Sequence, residues 1–170
     1  CIRDRRYIHK ERHVVHRDLT PSNIMLSAEG VIKLADFGLA KQRHGTQSIL
    51  ESVVGTVLYQ CPEIIQHEAY GEKADIWALG CVLYQMAALS PPFSGANPLA
   101  VARSIVEGDF TPLPDTFSPL LSTTVARLLT VDPDARPDIL EVAALISPLL
   151  LTELDRLAKA EAGLRDEVRI

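Results

Sequence analysis

His16-Arg17-Asp18-Leu19-Thr20-Pro21-Ser22-Asn23, followed thirteen residues after Asn23 by Asp36-Phe37-Gly38, decides how this chain is read. Taken singly these residues say little. A lone Asp-Phe-Gly is a turn in most proteins, and a lone histidine is more often a satisfied core residue than a ligand. The order and spacing of the set carry the information. Between Asn23 and Asp36 lie two short apolar runs, Ile24-Met25-Leu26 and Val31-Ile32-Lys33-Leu34, separated by Ser27-Ala28-Glu29-Gly30. Short β-prone runs around a Gly-ended polar tetrad predict a small hairpin. Such a hairpin folds the chain back and returns Asp36 to the neighbourhood of Asn23.

The rest of the chain supplies the frame. Of its 170 residues 47% are apolar and 23% charged, the balance of a soluble globular domain and far from the disordered regime. The formal net charge is -5 with no Lys/Arg-rich run, which argues against a nucleic-acid surface. No apolar stretch approaches the roughly 18 residues of a membrane span. Cys1, Cys61 and Cys81 are odd in number and widely spaced, without Cys-x-x-Cys, so a reducing cytoplasmic or nuclear setting is expected. The opening Cys1-Ile2-Arg3-Asp4-Arg5-Arg6 is neither a start methionine nor a signal peptide, and the expectation is a piece of a longer protein.

Residues 2–13 read as the end of a helix. Residues 39–59 form a long polar stretch, and a loop of that length in a compact domain is usually functional or mobile. Residues 73–89 are apolar nearly all round, which predicts a central buried helix. Asn97-Pro98 and Ser118-Pro119 each pair an N-cap with proline at the first helical position and open helices over 97–107 and 118–130. Asp138 caps another over 138–151. Beyond it Leu150, Leu154, Leu157, Leu164 and Val168 recur at heptad-like steps, interrupted by Glu161 and Gly163. An exposed terminal helix and the start of a coiled coil both fit residues 151–170.

The quoted set resembles the catalytic loop and magnesium-binding segment of protein kinases. That resemblance implies Asp18 as the base or orienter for the attacking hydroxyl, with Asn23 and Asp36 as Mg2+ ligands for ATP. Oxygen donors suit a hard cation that keeps phosphates and waters in its shell. It also implies Met25 as the floor under the adenine, and His16, Phe37 and Gly38 as structural. Gly55-Thr56-Val57-Leu58-Tyr59-Gln60-Cys61-Pro62-Glu63 resembles the end of an activation segment, with Cys61 in place of the usual alanine. Asp75-Ile76-Trp77-Ala78-Leu79-Gly80 resembles the start of the long central helix, with Asp75 holding the His16–Arg17 turn. Asp132-Pro133-Asp134-Ala135-Arg136-Pro137 implies a buried ion pair of Arg136 with Glu63. Residues 1–150 are thus read as a mainly α kinase-like C-lobe with one small β-hairpin, without the N-lobe. Asp36 to Lys41, Gly55-Thr56 and the heptad-like tail are similar to the NIMA-related (Nek) family of serine/threonine kinases. Thr20, Ser52 to Thr56 and Pro62-Glu63 point to its most divergent branch.

Two departures qualify the resemblance. Thr20 stands where serine/threonine kinases carry lysine, which admits a slower enzyme or a dual-specificity or tyrosine kinase. Thr56 argues for serine/threonine. The 170 residues also contain no Gly-x-Gly-x-x-Gly and no Val-Ala-Ile-Lys, the parts that cover ATP. The expectation is a protein kinase whose fragment is inactive alone. The other reading is a truncated, non-catalytic protein-binding module. In resembling kinases Arg17 receives an activation-segment phosphate; the candidate acceptors are Thr46, Ser48, Ser52, Thr56 and Tyr59, and Ser52, four residues before Thr56, is the favoured one. Expected partners are a protein substrate and a second copy through the coiled coil, with no nucleic acid and no membrane.

Overall fold

A computed structural model describes residues 15–36 and 57–167. Phe37, Gly38, Ser52 and Thr56, the helix expected over 2–13 and most of the loop over 39–59 lie outside those residues.

The predicted hairpin is present. Strand β1 (Ile24–Leu26) pairs antiparallel with β2 (Ile32–Leu34), with Ile24 opposite Leu34 and Met25 opposite Lys33. Ser27 closes the turn twice: its N–H donates to the Val31 carbonyl (2.9 Å) and its hydroxyl accepts from Val31 N–H (3.2 Å). Gly30 sits at φ +78°, a left-handed conformation that costs glycine nothing. Ile24 and Leu34 share one face of the pair and pack on the core, which anchors an otherwise exposed two-stranded ribbon.

Five helices follow: α1 (Pro62–Ile65), α2 (Lys73–Ala88), α3 (Pro98–Glu107), α4 (Pro119–Leu128) and α5 (Ile139–Glu167). The chain is therefore mainly α with one small hairpin. Helix α2 is the axle, as its nearly all-round apolar sequence predicts, and ten of its residues are buried. It separates two apolar clusters. On one side Trp77 stacks on Phe93 (centroids 5.4 Å apart), which meets Phe110 edge-on (5.8 Å), with Cys81, Ile105 and Val125 filling in. On the other, Ile76 and Leu79 pack with Leu19, Leu128, Ile139 and Val142. Gly80 permits the α2–α4 contact, because a Cβ there would lie 2.9 Å from Leu128 Cβ. Helix α2 ends on Leu89 in the left-handed region (φ 57°), a position ahead of Ser90-Pro91-Pro92 that ordinarily favours glycine.

The caps are those the sequence suggests. Asn97 Oδ1 accepts from Ala100 N–H (2.9 Å) and Ser118 Oγ from Leu121 N–H (3.2 Å). Asp138 Oδ1 accepts from Leu140 and Glu141 N–H, while Glu141 Oε2 accepts from Asp138 N–H, a reciprocal capping box. Helix α5 differs in extent from the sequence reading. It runs without interruption from Ile139 past residue 151 and on to Glu167, although Pro148 lies inside it. Interior proline costs about 3 kcal/mol. The run of Leu, Ala, Glu, Lys and Arg that follows has high helix propensity and carries the helix on. Leu150, Leu154 and Leu157 are exposed along it.

Arg136 binds the helices together. All five of its N–H donors are used. Nη1 and Nη2 reach Glu63 Oε1 and Oε2 (3.0 and 3.2 Å), and the rest reach the carbonyls of Lys73 (2.7 Å), Thr130 (3.0 Å) and Val131 (3.1 Å). The guanidinium also lies over the Trp77 ring at 5.1 Å, and Lys73 Nζ donates to the Arg136 carbonyl. Burial opposes ionisation of Glu63, but the hydrogen bonds and charge of Arg136 outweigh it and hold the carboxyl below its ordinary value. Beside it, Cys61 and Cys81 are free and buried, and burial pushes the Cys61 thiol up to about 12.

Removing one partner strands the other charge in the interior. Arg136→Met is expected to lower unfolding stability by about 3–5 kcal/mol, and the Glu63→Met/Arg136→Met double variant by clearly less than the sum of the singles. Because the folded Glu63 pKa is depressed, the pair's contribution is present above the usual carboxylate range and is lost as pH falls through the folded value. Urea unfolding from pH 7 to pH 3 checks both statements. A single-variant loss under 1 kcal/mol would contradict them.

Candidate active site

The segment from Val15 to Asn23 is shaped by its backbone partners. Asp75, in the first turn of α2, is buried, and its two carboxylate oxygens accept from the N–H groups of His16 (2.8 Å) and Arg17 (2.9 Å). His16 is fully buried, and its Nε2–H donates to the Ala35 carbonyl (3.0 Å), tying the segment to the far end of the hairpin. A carbonyl only accepts, so the proton sits on Nε2. Arg17 takes the left-handed conformation (φ 69°), unusual for a long side chain, and its guanidinium lies 5.3 Å from the centre of the Tyr70 ring. Leu19 buries its side chain in the core. With a buried Leu19 between them, Asp18 and Thr20 are held on a rigid base.

A 3-10 turn over Pro21–Asn23 then brings Asn23 back on Asp18. Asn23 Nδ2 donates to the Asp18 carbonyl (2.8 Å) and to Asp18 Oδ2 (3.1 Å). Both bonds use the amide nitrogen, so the Asn23 oxygen and Asp18 Oδ1 take no hydrogen bond among the described residues. The Thr20 and Ser22 hydroxyls bond to each other at 2.8 Å. Ala35 N–H donates to the Asn23 carbonyl (2.8 Å), which extends the ladder one step past Leu34. Asp36 follows immediately, exposed and also left-handed (φ 62°).

An open cavity of about 420 Å³ lies over this turn, lined by Asp18, Thr20 and Asn23 and, from distant sequence, by Tyr59 and Gln85. The structure thus brings Asp18, Thr20 and Asn23 to one cavity. Asp36 stands at the neighbouring strand end but does not line it. Met25 is exposed on β1, opposite Lys33. Glu63 and Arg136 lie in the core, away from the cavity. Gln85 was not singled out from the sequence, and Tyr59 only as a member of the activation-segment run, not as part of this cavity. Tyr59 OH donates to Gln85 Oε1 at 2.5 Å. The available signal was Gln85 itself, a polar residue inside the apolar run of α2. Among the described residues no group of three or more His, Cys, Asp or Glu side chains could hold a metal ion, so a cation here would need ligands from its own phosphates and waters. No helix among them is long and apolar enough to cross a membrane.

Comparison with known proteins gives a consistent result. The model of the protein kinase domain matches residues 4–145. Serine/threonine-protein kinase Nek10 of Homo sapiens is 51% identical over 96% of this chain and 14% of its own length. A serine/threonine-protein kinase of Caenorhabditis elegans is 45% identical over 95% of this chain and 16% of its own length. The G2-specific protein kinase nimA of Emericella nidulans is 40% identical over 90% of this chain and 21% of its own length. The chain therefore spans only about a seventh to a fifth of these relatives.

Asp75→Ala removes both acceptors of the His16–Arg17 turn. It is expected to cost about 2–4 kcal/mol, from two backbone donors left buried, and to speed hydrogen exchange at these two amides. Protection at His16 and Arg17 equal to that of the unaltered protein would show that the turn does not depend on Asp75.

Proposed function

The chain belongs to the protein kinase family, in its NIMA-related branch of serine/threonine kinases, and from that premise we propose that it forms the acceptor- and metal-facing lobe of an ATP-dependent protein kinase. The observation that carries this reading is the Asp18–Asn23 contact on the wall of an open cavity. Asp18 is the group that orients the substrate hydroxyl and takes its proton. The Asn23 amide steadies one Asp18 oxygen and leaves the other facing no described donor. The Asn23 oxygen and the Asp36 carboxylate fit a hard cation, and they are the residues that would hold Mg2+. Mg2+ bound with ATP neutralises charge on the phosphates. Met25, apolar and exposed on the hairpin, is the surface for the adenine.

Thr20 brings no positive charge to the cavity, and its hydroxyl is engaged by Ser22. Losing one charge-assisted contact costs about 1.5–3 kcal/mol, roughly ten- to a hundredfold in rate. The reading is therefore a slow serine/threonine kinase, and the same uncharged Thr20 favours tyrosine as a second acceptor. Residues 1–150 form the lobe, and the exposed leucines of α5 are the face through which a second copy pairs as a coiled coil. Buried free thiols accord with a cytoplasmic or nuclear setting.

Phosphate transfer to a general protein substrate by the complete protein tests the assignment. Asp18→Asn is expected to lower turnover by about 10²–10⁴-fold with its melting temperature kept, and the 170-residue stretch by itself to show none. Wild-type turnover in Asp18→Asn would remove the basis of the proposal. For regulation, we infer that phosphorylated Ser52 pairs with the exposed guanidinium of Arg17. Ser52→Ala in the complete protein should lower activity about tenfold, on the scale of one charge-assisted contact, and Arg17→Ala should abolish the difference between the phosphorylated and unphosphorylated forms. Equal activity of Ser52→Ala and wild type would refute it.

A further inference from the structure

Beside the site, one contact of the Val15–Asn23 segment has no part in the kinase assignment. The guanidinium of Arg17 lies 5.3 Å from the centre of the Tyr70 ring. Among the described residues that ring is its partner, and its N–H groups meet no acceptor. The backbone beneath is fixed, because Arg17 N–H is held by Asp75 and its φ is left-handed. Tyr70 comes from the irregular segment between α1 and α2, in which residues 66–71 are all exposed. Its ring is 40% exposed, and its hydroxyl bonds to no described residue. Glu68 and Glu72 stand on either side of it in the sequence. The neighbouring cation, Lys73, is turned inward and donates to the Arg136 carbonyl. Arg17 is therefore the cation that the fold sets against this ring.

We propose that Tyr70 is a phosphorylation site whose phosphate captures the Arg17 guanidinium and so withdraws it from the activation segment. The regulatory consequence rests on the phosphoryl-transfer reading above and on the Arg17–Ser52 pairing. The modifying enzyme is a tyrosine-directed protein kinase with MgATP, to which an exposed irregular segment is accessible. The Tyr70 oxygen attacks the γ-phosphorus, the bridging P–O bond to the β-phosphate breaks, ADP leaves, and the phenol proton passes to that enzyme's base. The product carries about -1.5 to -2 charges and three acceptor oxygens at the rim of the ring. A guanidinium already lying against the ring reaches that rim by rotating its own stem, with no backbone movement. Its paired N–H groups then meet two phosphate oxygens, a stronger contact than the face of a neutral ring at an exposed site. Glu68 and Glu72 repel the phosphate, which makes Arg17 the group that compensates it. One guanidinium turns its fork to one phosphate at a time, so the phosphates of Tyr70 and Ser52 oppose each other.

The complete protein tests this in two preparations, one from cells treated with a tyrosine-phosphatase inhibitor and one treated with a broad-specificity tyrosine kinase and MgATP. Mass spectrometry is expected to find phosphate on Tyr70, and its absence from both preparations would overturn the site. A tyrosine phosphatase should then remove that phosphate about tenfold faster from Arg17→Gln than from wild type, the scale of one charge-assisted contact. Arg17→Lys keeps the charge without the fork. It should fall between the two, and it gives the comparison if Arg17→Gln does not fold. Equal rates in wild type and variants would exclude capture by Arg17. Neither reading needs any activity of this protein. Turnover of the wild-type protein should fall about tenfold when Tyr70 is phosphorylated, to the level of Ser52→Ala. Tyr70→Phe given the same treatment should lose that response. Undiminished turnover with Tyr70 phosphorylated would refute the opposition of the two phosphates. A wild-type protein without turnover before treatment would refute the kinase assignment and the regulatory consequence with it, while the phosphate at Tyr70 and its capture are decided by the first two readings.

Discussion

The buried carboxylate of Asp75 is the constraint from which the site is built. It belongs to the most deeply packed helix of the molecule, so its position is set by the core. It spends both oxygens on two consecutive backbone N–H groups 59 and 58 residues away. Those donors belong to a turn whose second residue, Arg17, is held in a left-handed conformation that an arginine would not choose freely. Strain of this kind persists only where the surroundings over-determine it. Here the surroundings are Asp75 on one side, the His16–Ala35 hydrogen bond on another, and Leu19 sunk in the core beneath. Asp18, between Arg17 and Leu19, inherits a fixed place without any strong bond of its own to the core.

Arg136 does for the helices what Asp75 does for the turn. A guanidinium is costly to bury, and it is tolerated here because every N–H has an acceptor and the flat face lies on Trp77. Its partners come from α1, the first residue of α2 and the loop after α4, so one side chain fixes the mutual placement of three parts of the chain. The Cys61 thiol beside Glu63 is correspondingly inert, raised by burial and by the neighbouring carboxylate. Core and site thus meet at the N-terminal end of α2, where Lys73, Asp75 and Trp77 all take part.

Much of the fold was legible in the sequence. The hairpin, the central helix and the caps at Asn97, Ser118 and Asp138 each follow from a local rule that acts over a few residues. The main difference was at α5, where a proline and a sparse heptad pattern concealed a single 29-residue helix. Part of the site was equally local. The spacing of Asp18 and Asn23 fits a turn with proline at its first position, and the turn closes the distance between them. Tyr59 and Gln85 were hidden for the opposite reason. Neither belongs to a pattern with Asp18, and only the packing of α2 against the segment around Tyr59 puts them on the same wall.

By itself the sequence determined the hairpin, the central helix and the capped helix starts, the identity of the family and the order of the oxygen-bearing residues, because these rest on short-range periodicity, capping chemistry and motif spacing. The tertiary structure alone decided which oxygens are spoken for and which are open. It turned the Asn23 amide nitrogen onto Asp18 and committed the Gln85 oxygen to Tyr59. It also gave the cavity a neutral wall. Such choices depend on hydrogen-bond partners tens of residues apart, and no local rule encodes them.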